Sequence, residues 1–144
     1  MTVRTYRPSD RASLIELWRD AFPDDLPHNE PERVIDAKLA VDDLIFVAVR
    51  EGALVGACIA GYDGHRGWLY AVATSKGRRR EGTGTALVEH AVQALRALGC
   101  VKVNLQLRAD NAAVASFYRS LGFAEEDRIS MGVLLDPEGP VAAP

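Results

Sequence analysis

Cysteine is scarce in this sequence: Cys58 and Cys100 are the only two in 144 residues. Their neighbours, Gly-Ala-Cys-Ile-Ala and Leu-Gly-Cys-Val, are apolar and carry no metal-ligand spacing. Both thiols are therefore expected to be reduced, buried and hydrophobic in character, and no metal is expected. Positive charge is not in excess either. Lys and Arg total 17 against 20 Asp and Glu, for a net charge of −3, which argues against direct binding of DNA or RNA. No apolar run approaches the length of a membrane span. The start, Met1-Thr2-Val3-Arg4, lacks the basic and apolar regions of a signal peptide, so a cytoplasmic location and no membrane partner are expected. Internal repeats and low-complexity stretches are absent as well.

What is present suits one globular domain spanning 1–144. Apolar residues make up 48% and charged residues 26%, enough to close a core without staples. The Pro-, Gly- and Ala-rich end, 136–144, reads as a frayed tail. Val3 to Arg7 reads as an edge strand ended by Pro8, with Ser9 capping a helix that carries Leu14, Leu17, Trp18 and Ala21 at helical spacing. Pro23 to Pro31 is loop-like, and Glu32 to Ala40 reads as a second helix. Leu44 to Val49 is apolar on both faces, as a central strand should be. Arg50-Glu51-Gly52-Ala53 turns it into Leu54 to Tyr62, and Asp63-Gly64 turns that into Trp68 to Ala73.

Beyond this point the period changes. Gly82 to Leu98 reads as a long amphipathic helix with Leu87, Ala91, Leu95 and Leu98 on one face, a polar His90, and Gly99 as its stop. Val101, Val103, Leu105 and Leu107 alternate with polar residues, the period of a half-buried strand. A last helix from about Ala112 turns Val114, Phe117, Tyr118 and Leu121 inward and stops at Gly122; Phe123 onward is expected to supply a final strand pair. The order predicts a mixed α/β (α+β) layer, with antiparallel hairpins first and βαβ units later.

Chemistry concentrates where the one dense basic run meets a helix start: Lys76, Arg78, Arg79, Arg80, Glu81, Gly82, Thr83, Gly84, Thr85. Glycines let the chain turn sharply and expose N–H groups. A helix's first turn has unpaired donors and a positive dipole end, which suits phosphate oxygens, and the arginines add charge-assisted bonds. A diphosphate is the natural guest. The segment lacks the Lys of a P-loop and the third glycine of a dinucleotide fingerprint.

What remains, Arg79-x-x-Gly82-x-Gly84, resembles the acetyl-CoA pyrophosphate loop of the GNAT (GCN5-related N-acetyltransferase) superfamily. A second stretch, Asn111 to Phe123 with Phe117-Tyr118 and Gly122-Phe123, resembles the other hallmark of that family and stands in the expected order. The resemblance covers about Leu44 to Leu135, and Gly61 to Gly67 is similar to a bacterial, YpeA-like subgroup. It implies the GNAT fold: a mixed sheet of about six to seven strands, about four helices, and strands splayed at the cofactor site. It implies acetyl-CoA as donor, CoA as product, and no metal.

Residue by residue, the resemblance implies that N–H groups from Arg80 to Thr85 cradle the pyrophosphate, helped by Arg79. It implies that Val72, Ala73 and Thr74 offer main chain to the pantetheine arm. Asn111 bonds that arm or caps the last helix. Tyr118 protonates the leaving thiolate as the catalytic general acid, while Phe117 fits a core role better. A backbone N–H near Val72 stabilises the oxyanion as a neutral amine attacks directly. Glu81 departs from the pattern, and its carboxylate is expected to point to solvent. The acceptor is expected to be a small-molecule amine or a peptide or protein amine, and homodimers are common in the family. For the general base, Asp63, His65, Tyr70 and the loop residues Asp24, Asp25, His28 and Glu30 are candidates; turn chemistry is favoured for Asp63, loop polarity for the loop residues, and His90 is expected to be exposed. Cys58 and Cys100 are poor nucleophiles for want of a partner base. Two other functions fit less well: a non-catalytic acyl-CoA sensor, which would need no Tyr118, and a nucleotide binder.

Overall fold

The computed structural model describes residues 1–78 and 81–135. These fall into two compact units, which meet between Leu105 and Gln106 in the sequence. The tail from Asp136 onward lies outside the described residues.

The first unit carries β1 (Thr2–Thr5), α1 (Arg11–Ala21), α2 (Pro31–Leu39), β2 (Ile45–Arg50), β3 (Ala53–Tyr62), β4 (Gly67–Thr74), α3 (Thr83–Ala97) and β5 (Val103–Leu105). The strands form one five-stranded sheet in chain order. Pairings from β1 to β4 are antiparallel, and β4 with β5 is parallel. The parallel pair needs a crossover, and α3 is that crossover. The hairpin between β2 and β3 has two residues of positive φ, Glu51 at 53° and Gly52 at 78°, as a type I′ turn requires.

Alternation along the strands assigns the two faces of the sheet. Ile45, Val47, Ala57 and Ile59 join Leu14, Leu17 and Trp18 of α1 and Ile35 of α2 in one core. Their neighbours point the other way. Phe46 stacks edge-on with His90 of α3, ring centres 4.8 Å apart, and Cys58 lies against the carbonyl of Leu87. The sheet is thus covered on both faces, which is why Ile45 to Ala48 is buried without a break. His90 is therefore half-buried on the sheet rather than exposed as the sequence suggested.

Local chemistry starts and stops the helices. Ser9 is exposed and does not cap α1. Asp10 precedes the helix, but its carboxylate does not bond the first turn of α1 either: it accepts from the Arg7 N–H at 2.8 Å and from the Arg4 guanidinium at 2.8 and 3.0 Å. The Arg4 hydrogen bonds hold the Asp10 carboxyl below its usual range, against the opposing effect of burial, with the Arg7 N–H adding to them. α3 ends in a Schellman motif, with Gly99 N–H on Arg96 O at 3.0 Å and Cys100 N–H on Leu95 O at 3.1 Å. Gly99 takes the required positive φ, 95°. Because the helix stops at Ala97, Leu98 leaves the apolar face on which it was expected and is 52% exposed.

The second unit contains α4 (Ala112–Ser120). It too ends in a Schellman motif: Gly122 N–H meets Arg119 O at 3.0 Å, and Phe123 N–H meets Tyr118 O at 3.1 Å. Strand content is lower than expected. The alternating run from Val101 to Leu107 pairs only over Val103–Leu105, and residues 123–135 form no strand among the described residues. Ile129, Met131, Val133 and Leu135 are at least 82% exposed. Alternation selects the face a side chain takes; a ladder partner is a separate requirement.

Candidate active site

β4 is regular only in its first half. Gly67, Trp68 and Leu69 pair with Val103, Asn104 and Leu105 of β5. From Tyr70 to Thr74, β4 has no strand partner on that side among the described residues. The stretch containing Val72, Ala73 and Thr74, where a splay was expected, lies in this unpaired part of β4. On its other side β4 carries a bulge. Ala57 faces Ala73 and Ile59 faces Tyr70, so Cys58 alone stands opposite Ala71 and Val72. Ala71 adopts φ 49°, a left-handed conformation that costs an alanine about 1–2 kcal/mol. Its carbonyl accepts the indole N–H of Trp18 at 2.9 Å.

Past β4, a 3-10 turn at Lys76–Arg78 leads toward α3. Arg79 and Arg80, the arginines expected beside the phosphates, lie outside the described residues. Gly82 precedes α3 with φ 79°, and, its chain neighbours apart, no atom of the described residues lies within 4 Å of where its Cβ would stand. As the cap residue, Gly82 has no side chain with which to bond the first turn. A first turn that follows a glycine cap fits a diphosphate, whose oxygens can accept from the turn's N–H groups. Thr83 is 2% exposed, and its Oγ1 is sealed from solvent without a hydrogen-bond partner in the described structure. Toward a ligand outside, Thr83 has its main chain to offer, not its hydroxyl.

Glu81 is exposed and is also paired. Its carboxylate lies 3.3 Å from Nε of Arg50, at the end of β2, and Arg50 Nη2 reaches the Glu81 carbonyl at 3.4 Å. The first distance is an ion pair without a hydrogen bond, since Nε–H is not aimed at the carboxylate. A carboxylate that would repel a diphosphate is thereby paired with a cation from the sheet.

The candidate bases divide. Asp63 accepts from the N–H groups of His65 and Arg66, each at 2.7 Å, and these bonds hold its carboxyl below the ordinary range. Together with Gly64 at φ 89°, that is the turn chemistry favoured for it. Tyr70 is half exposed; burial, then the charge of Asp63, raises its pKa, which disfavours it as a base. In the loop after α1, Asp25 accepts from the Leu26 N–H at 3.0 Å and the Asn29 side chain at 2.9 Å. Glu30 pairs with Arg19 at 2.6 Å, and Glu32 joins the same guanidinium. Asp24 and His65 are exposed, and His28 is partly so. Burial pushes the Cys58 thiol up to about 12, so it offers no thiolate at neutral pH.

In the second unit, Asn111 caps α4: its side-chain oxygen accepts from the Val114 N–H at 3.2 Å. Tyr118 is 6% exposed, whereas Phe117 is only partly buried, the reverse of the expected division of labour. The reason lies in the helix end. Tyr118 and Phe123 occupy the two positions that a Schellman motif brings into apolar contact, and their rings meet edge-on at 5.6 Å. Phe117 flanks Tyr118 at 5.0 Å. Trp18 and Arg50 are the participants that sequence reasoning missed. For Trp18 a signal existed, because a buried indole needs an acceptor.

The profile of the Acetyltransferase (GNAT) family matches residues 11–123 of this sequence. An acetyltransferase from Yersinia enterocolitica is 38% identical over 143 residues, covering 96% of this chain and 99% of its own. Among solved structures, the ribosomal-protein-S18-alanine N-acetyltransferase of Escherichia coli is 26% identical with a TM-score of 0.74, covering 87% of this chain and 78% of that one. AAC(6')-Iy, solved with a bisubstrate analogue containing CoA, shares the fold at 17% identity, with a TM-score of 0.78 and coverage of 92% and 97%. Among the described residues, no helix is long and apolar enough to cross a membrane.

Proposed function

This chain belongs to the acetyltransferase (GNAT) family, and from that premise we propose that it transfers the acetyl group of acetyl-CoA to a primary amine by direct attack in a ternary complex. The observation that carries the reading is the course of β4. It leaves its partner after Leu69, bulges at Ala71 and Val72, and leads through a short turn toward a helix that starts at a glycine. An unpaired strand edge suits the amides of a pantetheine arm, and the helix start suits a diphosphate.

Acetyl-CoA supplies an acetyl group activated as a thioester. Val72, Ala73 and Thr74 hold its arm by main-chain bonds. Arg79, Arg80, Glu81, Gly82, Thr83, Gly84 and Thr85 surround its diphosphate, mainly through backbone N–H groups, with Glu81 neutralised by Arg50. Asn111, whose side-chain oxygen is used by its own helix, has its amide N–H groups for the arm. The Val72 N–H stabilises negative charge growing on the acetyl oxygen. Tyr118 gives its proton to the departing sulfur. The support for Asn111 and Tyr118 is the motif they belong to. The chain works as one N-acetyltransferase domain, and its acceptor is a small-molecule amine or the amine of a peptide or protein.

The test uses wild type and Tyr118→Phe, assayed for thiol release from acetyl-CoA against a panel of small primary amines and peptides with free N-termini. The variant is expected to bind acetyl-CoA normally and to lose about 10²–10⁴-fold in turnover, the usual contribution of a positioned acid. Turnover equal to wild type would remove Tyr118 from the chemistry. Failure of every acceptor, with acetyl-CoA bound, would favour an acyl-CoA sensor.

A further inference from the structure

The peptide group between Ala71 and Val72 is held from one side by a residue far away in the sequence. Trp18 lies in the middle of α1 and is 3% exposed. Its indole N–H donates to the Ala71 carbonyl at 2.9 Å, across 53 residues of sequence. Ala71 is the bulged, left-handed residue of β4, and Val72 follows it without a ladder partner in β3. No cis peptide occurs among the described residues, and in a trans peptide the C=O and N–H of one planar unit point in opposite directions. Fixing the Ala71 oxygen on Trp18 therefore fixes the Val72 N–H to point away from α1. A bulge without that bond could rotate this peptide, because regular register with β3 is interrupted here and no strand pairs with β4 at this point on its other edge among the described residues.

We infer that Trp18 is a positioning residue for the acetyl-transfer site: its indole N–H locks the Ala71–Val72 peptide so that the Val72 N–H faces the acetyl carbonyl. The inference rests on the proposed role of Val72 and extends it to a side chain in the opposite core. A merely structural Trp18 would fill volume beside Leu14 and Leu17, a task that a ring lacking the N–H performs equally well.

The experiment is infrared difference spectroscopy of carbonyl-labelled acetyl-CoA bound to wild type, to Trp18→Phe, and to protein carrying 3-benzothienylalanine at position 18, which keeps the shape of the indole and replaces N–H by sulfur. A hydrogen bond from the Val72 N–H lowers the thioester carbonyl stretch, so bound wild type is expected to absorb below free acetyl-CoA. Both variants are expected to bind acetyl-CoA with unchanged Kd while losing most of that displacement. The isostere keeps the test alive if Trp18→Phe does not fold. A displacement retained in a folded, binding variant overturns the role of Trp18 alone. If bound wild type shows no displacement, the assignment of Val72 falls and this inference with it. If wild type does not bind acetyl-CoA, the cofactor reading itself falls.

Discussion

Gly56, in the middle of β3, is where the sheet sets the height of α3, and adding one methyl there should disturb stability and cofactor binding together. A Cβ at Gly56 would stand 2.8 Å from Leu87 Cδ1, 2.8 Å from Thr83 Cγ2 and 3.1 Å from the Ala73 carbonyl oxygen. The two side chains are one turn apart on α3 and are at most 2% exposed, so neither has room to turn aside. Carbon atoms rest comfortably at about 3.5–4.0 Å, so the first turn of α3 must lift by roughly 1 Å. Overpacking of this kind costs about 1–3 kcal/mol. At about 2–4 °C per kcal/mol for a chain of this size, Gly56→Ala should melt several degrees below wild type. The lifted turn is the one proposed to hold the diphosphate. Losing one charge-assisted hydrogen bond, about 1.5 kcal/mol, would weaken acetyl-CoA binding roughly tenfold. Gly64→Ala is the matched control: Gly64 has φ 89° and open space around it, so an alanine there is strained but touches nothing of α3. It should lose stability and keep its affinity. Thermal melts and calorimetric titrations on the three proteins decide the matter. Wild-type stability and affinity in Gly56→Ala would refute the packing argument.

Two further perturbations follow from the charge pairs. The Asp10 carboxyl is held below its unfolded range by Arg4 and the Arg7 N–H, so its contribution to stability is present above about pH 4 and is lost as pH falls through the folded value. Urea unfolding of Asp10→Asn should show about 1–3 kcal/mol less stability at neutral pH and a gap that closes in acid; a pH-independent gap would contradict this reading. Arg50→Gln removes the Arg50 cation from beside the Glu81 carboxylate at the proposed diphosphate site, so acetyl-CoA affinity should fall by several-fold, more at low salt than at high. Adding Glu81→Gln should restore most of it, and a double variant as weak as Arg50→Gln would show that Arg50 acts otherwise.

Sequence patterns recovered what depends on neighbours along the chain. The helical spacing of Leu14, Leu17 and Trp18, the unbroken apolar run of β2, and the stops at Gly99 and Gly122 all reflect local period or backbone conformation. The glycine at the start of α3 was legible for the same reason. What escaped depends on distant partners. Ser9 and Asp10 are both good caps by type, yet neither side chain caps α1, because Arg4 on β1 and the Arg7 N–H take up the Asp10 carboxylate. Ala71 carries no sign of a left-handed backbone, because alanine does not prefer one. Arg50 and Glu81 are 31 residues apart, so the neutralisation of Glu81 by Arg50 could not be read from the loop alone. Phe117 and Tyr118 are adjacent aromatic residues, and only the position of the helix end distinguishes the core ring from its neighbour.

The central claim is that the start of α3, with the free edge of β4, holds acetyl-CoA. Calorimetric titration of acetyl-CoA into wild type and into Gly82→Trp, whose new ring would fill the open space before α3, tests it most directly. The account predicts saturable binding with one site per chain in wild type and its loss in a variant that still melts cooperatively. Equal binding by both would place the cofactor elsewhere, and no binding by folded wild type would contradict the account outright.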